Sequence, residues 1–260
     1  RHRQRQHLGG SREGDGPGSA RVAEICADQG VQRLVYVSSV ASLYTGGSKP
    51  LHDSWEVDPK IEGRALYSLG KARTEQALKE VADRRGLGLV VARPGVVVGE
   101  GTPLQHSGLG MWARDNHCVG WGYGTDPLPL VLADDVASGL VAAALAPGKG
   151  VDGQALNLCA NPGLSGQQMV QALRQATGRR LEFHPRSLVL SQTMEIGKWI
   201  VKRVVGRKVE FPSYRDLKSR ALTRPFTCNI AREQLGWKPV EDKATFLKRA
   251  VDIYAPKPTT

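Results

Sequence analysis

Two short apolar runs, at residues 34–37 and 87–92, each follow a stretch of helical periodicity, and this alternation leaves the chain few architectures. Neither run alternates with polar residues, as a strand with one wet face would, so each reads as a strand covered on both faces. Ahead of the first, residues 20–29 place Val22, Ile25 and Cys26 on one helical face, and Gly30 supplies the stop. Ahead of the second, residues 64–85 repeat Leu66, Leu69, Ala72, Ala77, Leu78 and Val81 at helical spacing. Helix, strand, helix, strand predicts an α/β fold built on a doubly wound parallel sheet.

The rest of the chain adds smaller units. Residues 136–146 read as an Ala-rich helix, with Asp134 and Asp135 as its caps, and 155–158 as a strand. Residues 166–177 read as a helix opened by Ser165 and closed by Gly178. Residues 189–205 predict an amphipathic helix carrying Met194, Trp199, Ile200 and Val204, and 242–254 predict a last helix. The stretch from Gly99 to Asp126 reads as loop, and residues 1–17, polar and Gly-rich without a period, read as a disordered tail.

Composition excludes several classes of function. A chain of 260 residues holds one large domain with room for a small lobe. No apolar run reaches the roughly 18 residues of a membrane span, and no secretory signal is visible, so the cytoplasm is the expected location. Cys26, Cys118, Cys159 and Cys228 lie far apart without C-x-x-C spacing, which argues against a zinc site and for thiols in a reducing compartment. His52, His106, His117 and His184 show no ligand spacing either, so no metal is expected. The net charge of +11 is concentrated between residues 198 and 224, where Lys and Arg far outnumber Glu210 and Asp216. A solvated basic face is the preferred reading, and no finger or RNP motif supports nucleic-acid binding.

The residues with the clearest chemistry are Tyr67 and Lys71. Four apart on a helix, they share one face. An ammonium beside a phenol stabilises the phenolate and lowers its pKa from near 10, which makes Tyr67 a proton donor and acceptor near neutral pH. The first strand ends at Ser38 and Ser39, either of which offers a hydroxyl to hold a carbonyl or alcohol oxygen. A Y-x-x-x-K match alone is weak. Its place between a strand ending in Ser and a strand ending in Arg93-Pro94-Gly95 strengthens it.

That order of elements resembles the short-chain dehydrogenase/reductase superfamily, and within it the extended NAD-dependent epimerase/dehydratase branch. The resemblance rests on VQRLVYVSSVASLY (31–44), YSLGKARTEQAL (67–78), VVARPGVVVGEG (90–101), PLPLVLADDVASGLVAAAL (127–145) and NIAREQLGWKP (229–239), and covers about residues 18–255. It implies a Rossmann-type domain over 18–160 and a small C-terminal substrate lobe, mainly 161–260, with the two interleaved along the chain. It implies Tyr67 as the acid/base, Lys71 on the nicotinamide ribose and Ser39 on the substrate oxygen. Pro94, Gly95, Val96 and Val97 would lie against the nicotinamide of NAD or NADP. Tyr44 stands five residues after Ser39, where the family often has four, so the choice between Ser38 and Ser39 stays open.

Two departures from the family pattern bear on cofactor and substrate. The glycine turn G-x-x-G-x-x-G that family members place after their first strand, and the acidic residue ending the second, are not found. About two βαβ units, some 60 to 90 residues, are thus expected to be lacking, and the chain reads as N-terminally incomplete: a fragment, or one with unrelated sequence in their place. Weak NAD binding and an exposed sheet edge follow as expectations. Nucleotide-sugar members often carry Asn at the position of Val96 and Arg at that of Leu128. Losing both favours a hydrophobic substrate, steroid-like or flavonoid-like, and a 3-beta-hydroxysteroid dehydrogenase-like activity. Val96, Leu128, Ser38 and Ser39 are then the expected substrate contacts. A nucleotide-sugar epimerase or dehydratase is the alternative, and a non-catalytic binding protein on a decayed dehydrogenase a second. A small-molecule substrate is the expected partner. A homodimer is left open. Residues 189–205 are read as a lid over the substrate site, with a peripheral membrane contact as the alternative.

Overall fold

A computed structural model describes residues 16–54, 56–148 and 150–256 of the chain. Its centre is a parallel three-stranded sheet in which β2 (Gly88–Pro94) lies between β1 (Arg33–Val37) and β7 (Gln154–Leu158). Helix α1 (Gly16–Asp28) and helix α2 (Leu66–Arg85) cover one face, where Ala23, Leu78, Val81, Leu89, Val91 and Ala155 form an apolar cluster. Helix α3 (Ala133–Leu145) covers the other, over Val90, Ala92, Leu156 and Leu158. Successive residues of β2 therefore feed opposite layers, which is why its sequence is apolar throughout. The α/β fold with a parallel sheet wrapped on both faces is as expected. Among the described residues β1 is paired along one edge only.

Beyond β2 the chain passes into a second pair of parallel strands, β3 (Val96–Val98) and β6 (Leu130–Leu132). Gly95 makes this step. A Cβ there would lie 1.9 Å from the Pro129 carbonyl oxygen, so only glycine lets the two backbones approach. Residues 99–126, expected to be loop, contain β4 (Met111–Ala113) and β5 (His117–Val119), and β5 also pairs in parallel with β8 (Glu182–His184). Three-residue strands are too short to show a period, which is why the pattern missed them.

Helix α4 (Gly166–Thr177) begins in a capping box, Ser165 accepting from the Gln168 amide while the Gln168 side chain accepts from Ser165, and it ends at left-handed Gly178. The remaining helices are α5 (Leu188–Val204), α6 (Tyr214–Arg220), α7 (Asn229–Gln234) and α8 (Lys243–Val251). Some boundaries and roles differ from expectation. Helix α1 starts at Gly16 with Pro17 in its first turn, where a missing N–H costs nothing; residues 1–15 of the expected tail lie outside the described residues. Asp134 and Asp135 sit inside α3 and do not cap it. Asp135 accepts from the Val240 amide at 2.9 Å and Asp134 pairs with Arg249 at 2.7 Å, so both serve to dock the C-terminal segment.

Candidate active site

The carboxyl ends of β1 and β2 lie side by side, the place where open α/β sheets take their ligands. Register Val37↔Ala92 and the bond from the Ser38 amide to the Ala92 carbonyl, 2.7 Å, set Ser38 and Ser39 beside the Arg93-Pro94-Gly95 end of β2. Ser39 then opens a single 3-10 turn, Val40–Ser42, its hydroxyl accepting from the Ala41 amide at 3.2 Å. That turn packs against α2.

Helix α2 brings Tyr67 and Lys71 to the same place. The Lys71 ammonium donates to the Val37 carbonyl at 3.0 Å and lies 5.1 Å from the centre of the Tyr36 ring. The amine is thus fixed at the last residue of β1, one residue before the serine pair. Tyr67, one helical turn earlier, is 60% exposed, with its ring open to solvent.

Beneath this exposed face lies a buried polar cluster. Glu75, one turn beyond Lys71, is paired with Arg93, both side chains almost wholly inaccessible (1% and 0%). The Arg93 Nε donates to both carboxylate oxygens at 3.1 and 3.2 Å, and its Nη1 donates to the Ser54 carbonyl. Ser38 is buried and donates its hydroxyl to the same Glu75 carboxylate. Helix α2, β1 and β2 are therefore joined through one carboxylate. Ser38 is committed to that cluster, whereas among the described residues the Ser39 hydroxyl only accepts a bond, from Ala41, and keeps a proton to donate. Glu75 escaped the sequence reading, although the stripe Tyr67, Lys71, Glu75 continues at i+4 spacing and an acid among apolar helix positions was a usable signal.

The start of α2 is held from the C-terminal lobe. Asp216 on α6 accepts from the Ala65 amide at 2.9 Å, from Arg64 at 3.1 Å and from Arg220 at 2.8 Å. Arg64 also reaches Asp58 at 2.9 Å, and Asp58 pairs with Arg215. Burial alone would raise both carboxyls. For Asp58 the Arg215 and Arg64 guanidiniums and the Lys60 amide outweigh it, and for Asp216 Arg220, the Ala65 amide and Arg64 do, so both lie below the ordinary carboxylate value. Tyr44, the residue whose spacing departed from the family pattern, lies under Arg215, 3.6 Å from guanidinium to ring centre.

The other expected contacts line a neighbouring wall. Pro94 and Val96 are buried and Gly95 and Val97 half-buried as the chain leaves β2. Val96 sits against Gly108, and Gly108 and Leu128 border a cavity of about 30 Å³ with Leu109, Trp121, Phe183 and Arg220. Arg220 stands 5.1 Å over the Trp121 ring. Gly122 and Gly124 also line this cavity. Helix α5, read as a lid, contributes nothing to the cavity and packs on α6.

The elements that carry Ser39, Tyr67, Lys71 and Pro94 in this arrangement lie within residues 14–159, which match the model of the NAD dependent epimerase/dehydratase family. The chain belongs to this family. A curated relative, 3beta-hydroxysteroid-dehydrogenase/decarboxylase isoform 2 of Arabidopsis thaliana, is 24% identical over 248 residues, 92% of this chain and 44% of the relative. The chain thus spans less than half of that relative's length. Among solved structures, gox2253 matches with a TM-score of 0.69 at 19% identity, over 92% of this chain and 71% of that one. The UDP-glucuronic acid 4-epimerase of Bacillus cereus, solved with UDP-glucuronic acid and NAD, matches with a TM-score of 0.64 at 16% identity, over 92% and 66%. These likenesses establish the Rossmann-type epimerase fold.

The residues present fit one end of the family's dinucleotide. Lys71 fixed at the end of β1, exposed Tyr67 and the Pro94-Gly95 step are the positions where the resemblance would place the nicotinamide ribose. No G-x-x-G-x-x-G turn for the pyrophosphate accompanies them in the sequence.

Proposed function

We propose that this protein is an NAD(P)-dependent oxidoreductase acting at a carbon that bears a hydroxyl or keto group, on a hydrophobic substrate. One observation carries the reading: Lys71 is fixed 3.0 Å from the last carbonyl of β1, two residues before Ser39, and one helical turn from exposed Tyr67. The nicotinamide, when bound, gives or takes the hydride. Ser39 donates a hydrogen bond to the substrate oxygen and orients it. Tyr67 takes the hydroxyl proton during oxidation and returns it during reduction. Lys71 holds the ribose. Ser38, committed to Glu75, positions the strand end and does not touch substrate.

The substrate class rests on the wall beyond Val96. Leu109, Trp121, Leu128 and Phe183 give an apolar surface where phosphate-binding members would need amide and guanidinium donors. The Arabidopsis relative, named as a hydroxysteroid dehydrogenase, supports the same class. Arg220 favours a second reading, a nucleotide-sugar epimerase or dehydratase, because it brings one guanidinium to the cavity. Its pairing with Asp216 leaves it less able to meet a diphosphate.

The test is turnover of hydroxysteroids and other hydrophobic alcohols with NAD and NADP, followed at 340 nm, in the chain and its Tyr67→Phe variant. Turnover abolished by the substitution supports the reading. Turnover unchanged by it would overturn the acid/base role of Tyr67, no turnover of any alcohol would favour the non-catalytic alternative, and a UDP-sugar found bound by mass spectrometry would favour the epimerase.

A further inference from the structure

The exposed face of the β5–β8 pair gathers three metal-ligating side chains that no part of the proposed reaction uses. Register His117↔Glu182 sets two of them across from each other, and His184, two residues beyond Glu182 on the same strand, falls on the same face. The His117 Nδ1 and His184 Nε2 atoms are 2.9 Å apart. The Glu182 carboxylate lies 3.5 Å from the first and 3.7 Å from the second. All three donor atoms fall within 4.8 Å of one another.

We propose that His117, Glu182 and His184 form a binding site for a divalent transition cation of the zinc class. Bonds of about 2.0–2.2 Å place two donors about 2.9 Å apart at a right angle and about 3.3 Å apart at a tetrahedral one. The three separations bracket these values, so side-chain shifts of a few tenths of an ångström suffice. Two imidazoles and one carboxylate suit zinc, copper or nickel, and not the oxygen-seeking calcium or magnesium. The side chains are 41–53% exposed, and a cleft of about 350 Å³ bounded by Gln167, Gln171 and Arg174 opens beside Glu182 and His184. Water completes the coordination from that side.

The site has a structural consequence. The cation clamps β8 to β5, while Phe183, between two of its ligands, points the opposite way and closes the apolar cavity against Gly120 and Gly124. Metal binding on one face stiffens the wall on the other. The metal site is independent of the oxidoreductase reading and stands or falls by binding alone.

Calorimetric titration of the metal-free 260-residue chain with zinc chloride is the test, together with visible absorption on cobalt addition. One zinc per chain is expected, with d–d bands from cobalt. Each of His117→Gln, Glu182→Gln and His184→Gln is expected to weaken binding by no less than the ~10–100-fold that loss of an outer-shell partner costs. A measurement on the unsubstituted chain needs no variant to fold: zinc should protect His117 and His184 from diethyl pyrocarbonate. Binding weaker than about 1 mM would overturn the proposal. So would undiminished binding in all three variants, which would place the metal elsewhere, for example on His2 and His7.

Discussion

Tyr67 and Glu75 stand two helical turns apart on α2 and in opposite environments, and their substitutions should separate chemistry from stability. The Tyr67 hydroxyl makes no hydrogen bond to another described residue, and its ring is largely in solvent. Tyr67→Phe should therefore change the unfolding free energy in urea by less than about 0.5 kcal/mol while lowering turnover about 10²–10⁴-fold, the usual worth of a positioned acid/base. Glu75→Ala strands the Arg93 guanidinium in the core and should cost about 3–5 kcal/mol, with Glu75→Gln, which keeps an acceptor, costing less. Urea unfolding of both variants checks this. A loss below about 1 kcal/mol for the alanine would show that the pair does not anchor the sheet to the helix. Among the thiols, burial pushes Cys118 up to about 12, so it should resist thiol reagents at neutral pH until the chain unfolds.

The placement of α2 depends on α6, because Asp216 receives both the Ala65 amide at the helix start and the Arg64 side chain. Asp58 and Asp216 titrate lower in the folded chain than in the unfolded one. Their contribution is present in full above about pH 4 and is lost as pH falls through the folded-state values, since the unfolded chain takes up protons first. The melting temperature should drop on acidification below that point, and Asp216→Asn should flatten the drop while lowering stability at neutral pH. An unchanged acid limb would place the sensitivity in other carboxylates. Helix α5 stands at the other extreme, with no residue buried although Val189, Leu190, Val201 and Val204 are apolar. Changing any of these to Ser should cost less than about 0.5 kcal/mol, whereas Leu78→Ala under the sheet should cost about 2–5 kcal/mol. Co-sedimentation with anionic vesicles tests the surface-helix reading of this segment, whose Lys198, Lys202 and Arg203 suit headgroups. No helix among the described residues is long and apolar enough to cross a membrane.

At the scale of the whole molecule, no strand among the described residues pairs with the outer edge of β1. A parallel strand edge that no described strand covers can template further pairing. Light scattering on the 260-residue chain should show concentration-dependent association. The proposed nicotinamide-ribose site would hold only that end of a dinucleotide, and the sequence shows no pyrophosphate turn, so NADH should bind more weakly than about 1 μM by calorimetry. Micromolar or tighter binding would mean that other residues of this chain hold the phosphates.

The alternation of helices and buried strands, the caps at Ser165 and Gly178 and the Tyr67–Lys71 spacing were all legible in the sequence. Each is written within a few residues, because backbone hydrogen bonding imposes a local period and a local cap. The sequence also identified Ser38 and Ser39 as a pair, but only the tertiary structure commits Ser38 to Glu75. The same holds for Arg93 with Glu75, Asp216 with Arg64, and His117 with His184 across 67 residues. Among 36 basic and 25 acidic side chains no local rule selects partners. That selection is made by which strand ends and helix starts the packed core brings together, a property of the whole fold that no short stretch of sequence contains.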